Sequence, residues 1–277
     1  MCVRQETNLL HRLTIVKIKP NLERNNGKVL FLLNISNKYT MHIFYSPDIS
    51  SDCPYLDESE SRHCINVLRL AKKDTIHIID GKGGLYFAEI TDPNPRRCGF
   101  RVIESSKDCG KRNYDVHVAI APPKNINRFE WFLEKATEVG VDEITPLQCQ
   151  RSERKTLKME RLERVITSVM KQSRRAYRPA LNPITPVHKF LNAGFPGKGF
   201  IAHCEEEKKW LLKDRYMPGE NAMIMIGPEG DFSPEEIKAA KEKKIQEISL
   251  GSGRLRTETA GLIACFTIHF MNQAGQK

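Results

Sequence analysis

Two stretches near the C-terminus constrain the fold most. Met223-Ile-Met-Ile-Gly-Pro-Glu-Gly-Asp-Phe-Ser233 and Ile248-Ser-Leu-Gly-Ser-Gly-Arg-Leu-Arg-Thr-Glu-Thr-Ala-Gly261 each read as a strand, a tight glycine loop and the start of a helix. In the first, the unbroken apolar run Ala222 to Ile226 suits a strand covered on both faces, and Gly227-Pro228-Glu229-Gly230 must turn. Ser233 as N-cap, Pro234 in the first helical position and Glu236 closing an S-x-x-E capping box agree on where the following helix begins. In the second, Glu247 to Leu250 reads as the strand and Gly251-Ser252-Gly253 as the turn. A helix apolar on nearly every side, and therefore predicted to be buried, runs from about Thr257 through Phe270. Two such units side by side bring two glycine loops and two helix N-termini to the carboxyl edge of a parallel sheet, where open α/β sheets bind ligands. Spacing alone suits equally well a pair of glycine loops that merely turn the chain.

The 277 residues suffice for two domains with cores of their own, and no apolar run approaches the roughly 20 residues that span a bilayer. The eight cysteines form no C-x-x-C pair and no Cys/His spacing suited to zinc, so they read as reduced thiols of a cytoplasmic protein that holds no metal. A formal charge of +10 favours a polyanionic partner, and half of it lies in residues 1–40, which hold seven Lys/Arg against two Asp/Glu. That segment has little periodicity and reads as a leader outside the fold; a basic RNA-binding arm is the alternative.

From Met41 to about Ser106 the pattern is β-rich, with one short helix around Ser59 to Leu68. Asp74 to Asp80 and Leu85 to Ile90 flank Gly81-Lys-Gly-Gly84, a hairpin signal, and Cys98 to Glu104 reads as a further strand. Several short strands in so few residues predict a small barrel, with the domain boundary in the polar run Ser105 to Asn113. An α/β alternation follows: strand Tyr114 to Ala121, helix Arg128 to Val139 stopped at Gly140, and strand Asp142 to Leu147. Then come a long amphipathic helix, Lys158 to Tyr177, and strand Gly199 to His203. Residues 151–178 hold ten Lys/Arg against three Glu, and the end of that helix places Lys171, Arg174, Arg175 and Arg178 on one stripe without i,i+4 acidic partners. The stripe predicts RNA phosphate contacts, together with Arg151 and Arg69; a solvated face, dipole stabilisation or a dimer interface are the competing readings.

Familiar sites are missing. No G-x-x-x-x-G-K-[ST] phosphate loop occurs, Gly251-x-Gly253 lacks the third glycine of a dinucleotide fingerprint, and no G-x-S-x-G elbow is present. The histidines pair at no metal or triad spacing, and Cys149 and Cys265 read as core thiols.

The two signature loops resemble those of the bacterial 16S ribosomal RNA uridine-N3 methyltransferases, a family of the knotted SPOUT superfamily. Three further segments agree in order: His63-Cys-Ile-Asn-Val-Leu-Arg69 with the family's H-x-x-x-V-L-R, Glu134-Lys-Ala-Thr-Glu-Val-Gly140 with E-K-A-T-E-L-G, and Gln172-Ser173 with Arg175 as Q-S-x-R. The likeness spans about Met41 to Phe270. It implies a PUA-like RNA-binding β-barrel over 41–108, then an α/β SPOUT methyltransferase domain over 113–274 with a C-terminal trefoil knot, working as a homodimer. Its cofactor is S-adenosylmethionine, held by Ile226, Gly227, Pro228, Glu229 and Gly230 of the first loop and by Leu250, Gly251, Leu255 and Thr259 of the second. Two departures stand out. Asp231 occupies a position where the family commonly has glycine. The usual L-G-x-R-I-L-R is here Leu250-Gly-Ser-Gly-Arg-Leu-Arg256, with Gly253 at the arginine position and Arg254 at an apolar one, so that only Arg256 carries over.

The implied reaction moves a methyl group from a sulfonium to the N3 nitrogen of a uridine in the decoding region of the small-subunit RNA. That imide nitrogen is a poor nucleophile until it loses its proton, so the site needs a base, or cations that stabilise the anion as it develops. Arg256 is the electrostatic choice and Glu258 the acid/base or positioning choice, unless Glu258 only caps its helix. Two rival readings remain: a non-catalytic rRNA-binding module on a knotted scaffold, and a tRNA ribose 2′-O-methyltransferase.

Overall fold

The computed structural model describes residues 42–49, 53–204 and 209–274; the expected leader lies outside them. The first sheet contains Ile43–Tyr45 (β1), Thr75–Ile79 (β2), Leu85–Asp92 (β3) and Gly99–Ser106 (β4), in that order, with β1 parallel to β2 and the other pairs antiparallel. The predicted hairpin is there, its turn at Gly81 and Gly83 in the left-handed region that glycine adopts at little cost. Among the described residues the named strands form an open path, and Tyr55 adds an isolated antiparallel bridge to Gly99 of β4. Helix Glu58–Arg62 (α1) and the π-turn His63–Val67 cover it, sealing Phe44, Leu56, Cys64, Ile76, Ile78 and Ile90 into a small core.

The second sheet is entirely parallel. Its strands are Val116–Ile120 (β5), Glu143–Gln148 (β6), Ala180–Leu181 (β7), Thr185–Pro186 (β8), Lys198–Ala202 (β9), Trp210–Leu211 (β10), Ala222–Ile226 (β11) and Gln246–Ser249 (β12), in the order β10-β12-β9-β11-β5-β6-β7, with β8 also on β6. Helices Ile126–Val139 (α2), Met159–Gln172 (α3) and Thr257–Ala274 (α6) enclose one core with it, built on Val118, Ile120, Phe129, Phe132, Phe200, Ile224 and Ile268. Val187–Ala193 (α4) and Pro234–Glu242 (α5) enclose another on Ala119, Met223, Met225, Ile201 and Ile237. Strands covered on both faces explain why β5 and β11 read as continuous apolar runs. Among the described residues no helix is long and apolar enough to cross a membrane.

Three expectations are corrected. The two signature strands are not neighbours, because β9 lies between β11 and β12 and hydrogen-bonds to both. Its Gly199, Phe200 and Ile201 are buried, so the strand needs a partner on each side, a requirement that sequence order does not encode. Second, α3 stops at Gln172 and not Tyr177: the Ser173 hydroxyl donates back to the Val169 carbonyl at 2.8 Å, and Arg174 turns the chain at φ +56°. Third, α6 is not buried all round, since Phe266 and Phe270 are more than half exposed and stack on each other on its outer side.

The β2–β3 hairpin is clasped to the segment after α3. Gly83 donates its N–H to the Ala176 carbonyl and Arg178 its N–H to that of Gly81, while the Tyr177 ring packs so closely on Gly83 that a Cβ there would meet it at 2.4 Å. Lys171 pairs with the buried Glu60 of α1, and Ile79 packs with Met170 and Ala176.

Candidate active site

Because the second sheet is parallel, the loops after β5, β6, β9, β11 and β12 all leave from one edge. Arg128, in the first turn of α2, ties two of them together. Its Nε and Nη2 donate to the two carboxylate oxygens of Glu258 at 2.8 and 2.6 Å, and Nη1 donates to Glu229 Oε1 at 3.0 Å. Glu258 belongs to the first turn of α6, and Glu229 to the loop after β11. The Thr257 hydroxyl donates to the Gly227 carbonyl at 3.1 Å, a second link between the same two loops. The glycine loops therefore meet through side chains although their strands are not adjacent.

The first loop is braced from outside as well. Arg151 Nη1 donates to the Gly230 and Phe232 carbonyls at 3.0 and 3.3 Å, and the Lys124 N–H reaches Glu229. Arg154 Nε donates to the Pro123 carbonyl at 3.1 Å. Asp231 holds φ +63°, and its Oδ2 accepts the Cys204 N–H at 2.7 Å, joining the loops after β11 and β9. The aspartate that departs from the family pattern keeps the glycine-like turn and adds a cross-link. The capping box is complete: the Ser233 hydroxyl accepts the Glu236 N–H, and Glu236 accepts the Ser233 N–H.

The predicted residues separate into groups. Ile226, Gly227 and Pro228 are buried at the base of the first loop, with Glu229 and Gly230 exposed above them. Gly251 is exposed at φ +142°, and space is open where a side chain on it or on Gly253 would go; Leu250, Leu255 and Thr259 are half-buried around the second loop. Open space over a glycine loop, backbone groups at a helix start and a rigid floor suit a small cofactor lying across the edge. Arg254 and Arg256 are exposed, and neither guanidinium has a partner among the described residues.

Glu258 is buried, and each of its carboxylate oxygens accepts one hydrogen bond from Arg128. That bidentate pairing suits a residue that positions the start of α6. The basic stripe does not exist as one surface. Lys171 pairs with Glu60 and Arg178 with Glu163, while the Arg175 guanidinium donates to the Glu138 and Val139 carbonyls that end α2. Burial lowers the Arg175 pKa. Arg151 braces the first loop as described. Of the six expected phosphate ligands, Arg69, Arg151 and Arg174 are exposed, Arg69 and Arg174 on left-handed turns of φ +58° and +56°.

Arg128 escaped the sequence reading, yet it carries a signal. A cation in the first turn of a helix opposes the helix dipole, and α2 has no acidic residue there to offset it. An arginine so placed implies acidic partners elsewhere in the chain.

Residues 110–269 match the RNA methyltransferase domain family, and residues 56–103 match the RNA methyltransferase PUA domain family. The chain is 32% identical over 177 residues to the ribosomal RNA small subunit methyltransferase E of Mesomycoplasma hyopneumoniae, covering 61% of this chain and 75% of that one. The crystal structure of a "probable rRNA-methyltransferase" from Porphyromonas gingivalis superposes with a TM-score of 0.79 at 36% identity, over 84% of this chain and 99% of the other. A ribosomal RNA small subunit methyltransferase E from Neisseria gonorrhoeae, solved bound to S-adenosyl methionine, superposes at 0.74 and 27% identity over 84% and 98%.

Proposed function

The chain belongs to the family of ribosomal RNA small subunit methyltransferase E, and from that premise we propose that it methylates N3 of a uridine in the decoding region of 16S rRNA, in the cytoplasm, using S-adenosylmethionine. The observation that carries this reading is the Arg128 clasp on Glu229 and Glu258, which ties both glycine loops together at one edge of the sheet. Loops cross-linked in this way suit a reaction in which alignment is most of the task.

The cofactor, when bound, supplies an electrophilic methyl group. The first loop, from Ile226 to Gly230, and the second, with Leu250, Gly251, Leu255 and Thr259, would hold it. The open space at Gly251 and Gly253 accommodates that fit. Arg256, cationic and unpaired at the start of α6, stabilises negative charge on the uracil imide as its proton leaves. Arg254 stands close enough in sequence to share that role in place of the arginine missing at Gly253. Glu258 fixes the first turn of α6, and hence the backbone that carries Arg256, through Arg128.

The remaining parts of the reading extend from this. The segment 41–108 is the RNA-binding domain and 113–274 the catalytic one, with α6 threaded as the knot helix. Arg69 and Arg174 are the phosphate contacts. The exposed Phe266 and Phe270 support a homodimer through α6. Nucleoside mass spectrometry of rRNA from cells with and without the protein tests the reaction: 3-methyluridine lost from small-subunit rRNA supports it. Loss of a 2′-O-methyl nucleoside from tRNA favours the ribose enzyme, and no change together with no cofactor heat in calorimetry favours the binding module.

A further inference from the structure

We propose that Trp210, with Arg215 stacked on it, is a docking platform for a nucleobase of the substrate RNA next to the one that is methylated. The proposal rests on the rRNA methyltransferase reading above. Trp210 pairs in parallel with Ile248 and Leu211 with Ser249, so β10 begins where β12 ends and stands beside the start of the second glycine loop. In the sheet order β10 is the outermost strand, one spacing of about 5 Å from β12 and three spacings, about 14 Å, from β11. The ring thus sits at the rim of the carboxyl edge, outside the pair of loops that would enclose the cofactor.

The ring is 59% exposed, and the Arg215 guanidinium carbon lies 4.4 Å from its centroid. An indole left this open is unusual for a residue with so much apolar area, and here a cation stacks on it. Arg254 and Arg256 of the adjoining loop add two exposed guanidinium groups without ion-pair partners among the described residues. An aromatic face beside several arginines suits single-stranded nucleic acid: the base stacks on the ring while the cations neutralise phosphates. A protein partner would have to present an acidic surface around an aromatic socket, and the ring lies outside the two loops proposed to hold the cofactor. Trp210 then fixes the strand on one side of the target nucleotide, and the substrate is gripped from the rim of the cleft as well as from the first domain.

The test compares wild type, Trp210→Ala and Trp210→Phe in three measurements. Binding of a short fluorescein-labelled single-stranded oligoribonucleotide should weaken at least about fivefold in Trp210→Ala, the equivalent of one lost stacked base, and be largely kept in Trp210→Phe. The dissociation constant for S-adenosylmethionine by calorimetry should be the same in all three, as should the sedimentation coefficient. Oligonucleotide binding by Trp210→Ala equal to wild type overturns the platform. So does a matching loss of cofactor affinity, which would give the ring to the adenine, or a change of oligomeric state without a change in RNA affinity, which would make it a protein interface. If wild type itself neither binds the cofactor nor methylates small ribosomal subunits, the enzymatic reading falls; the oligonucleotide titration still decides the platform.

Discussion

Arg128 and Glu258 are 130 residues apart in sequence and joined by two parallel hydrogen bonds, 2.8 and 2.6 Å, the bidentate pairing of a guanidinium with a carboxylate. The Glu258 side chain is 8% exposed and that of Arg128 25%, so the pair sits at the inner end of the cleft and not on open surface. Arg128 fastens the start of α2 to the start of α6, and through Glu229 it also reaches the loop after β11.

Removing one partner should therefore cost more than the pair contributes. Arg128→Ala leaves a buried carboxylate without its cation and should destabilise the fold by about 3 kcal/mol in urea denaturation. The double variant Arg128→Met, Glu258→Leu should recover most of that stability without recovering cofactor affinity, because the two loops are no longer tied. Full cofactor affinity in the double variant would show that the clasp serves the fold alone.

The two loops should differ in tolerance to a methyl group. Gly251 has φ +142°, which an L-residue rarely adopts, so Gly251→Ala should distort the second loop and weaken S-adenosylmethionine binding tenfold or more, a loss of about 1.4 kcal/mol, with little change in melting temperature. A Cβ on Gly230 would meet Arg151 Cβ at 3.4 Å, an ordinary contact, so Gly230→Ala should bind nearly as wild type does. Equal affinities for wild type and Gly251→Ala would take the second loop out of the site.

The strands and helix starts of this site were legible in the sequence because their causes are local. The run Ala222–Ile226, the Ser233 capping box and the Gly140 C-cap at φ +110° depend on residues a few positions apart. What was not legible depends on distant partners. Nothing near Lys171, Arg175 or Arg178 in sequence shows that Glu60 and the α2 carbonyls take the first two, and Glu163, fifteen residues back, lies beyond the helical spacings that were weighed for Arg178. The insertion of β9 between β11 and β12 is a choice of sheet order, on which periodicity is silent. Phe266 and Phe270 look like core from composition because an exposed aromatic and a buried one have the same letter.

The dissolved stripe leads to a test by salt. Lys171→Ala strands the Glu60 carboxylate, whose side chain is 8% exposed, and should lower stability by about 3 kcal/mol while leaving the salt dependence of RNA binding unchanged. Arg174→Ala, at an exposed turn, should leave stability within about 0.5 kcal/mol and reduce the slope of log affinity against log salt by about one unit or less. If the two variants exchanged these behaviours, the stripe would have to be restored as a phosphate surface and the Glu60 pair dismissed.

Stability against acid should carry the signature of His269 in α6. Burial first, then the nearby Arg112 and Arg175 guanidinium groups, push its imidazole from the usual 6.5 down to about 3, while a Gly140 backbone hydrogen bond opposes them weakly. Arg112 Nη1 lies 2.9 Å from Nδ1, the Tyr114 hydroxyl lies 2.9 Å from the same atom, and Arg112 also donates to Asp142 at 2.5 Å. Between pH 6.5 and about 3 the unfolded chain binds a proton at this residue that the native chain does not. The stability it contributes is complete above pH 6.5 and is lost as pH falls through the window, by up to about 1.4 kcal/mol per pH unit. Asp142, raised above 3.8 by burial, acts in the opposite sense at the acid end, so the quantity to follow is the difference between wild type and His269→Gln. Urea denaturation at a series of pH values should show the variant less stable at neutral pH and the gap closing as pH drops below 6.5. Parallel curves would mean that the His269 imidazole binds its proton equally well in the native and the unfolded protein.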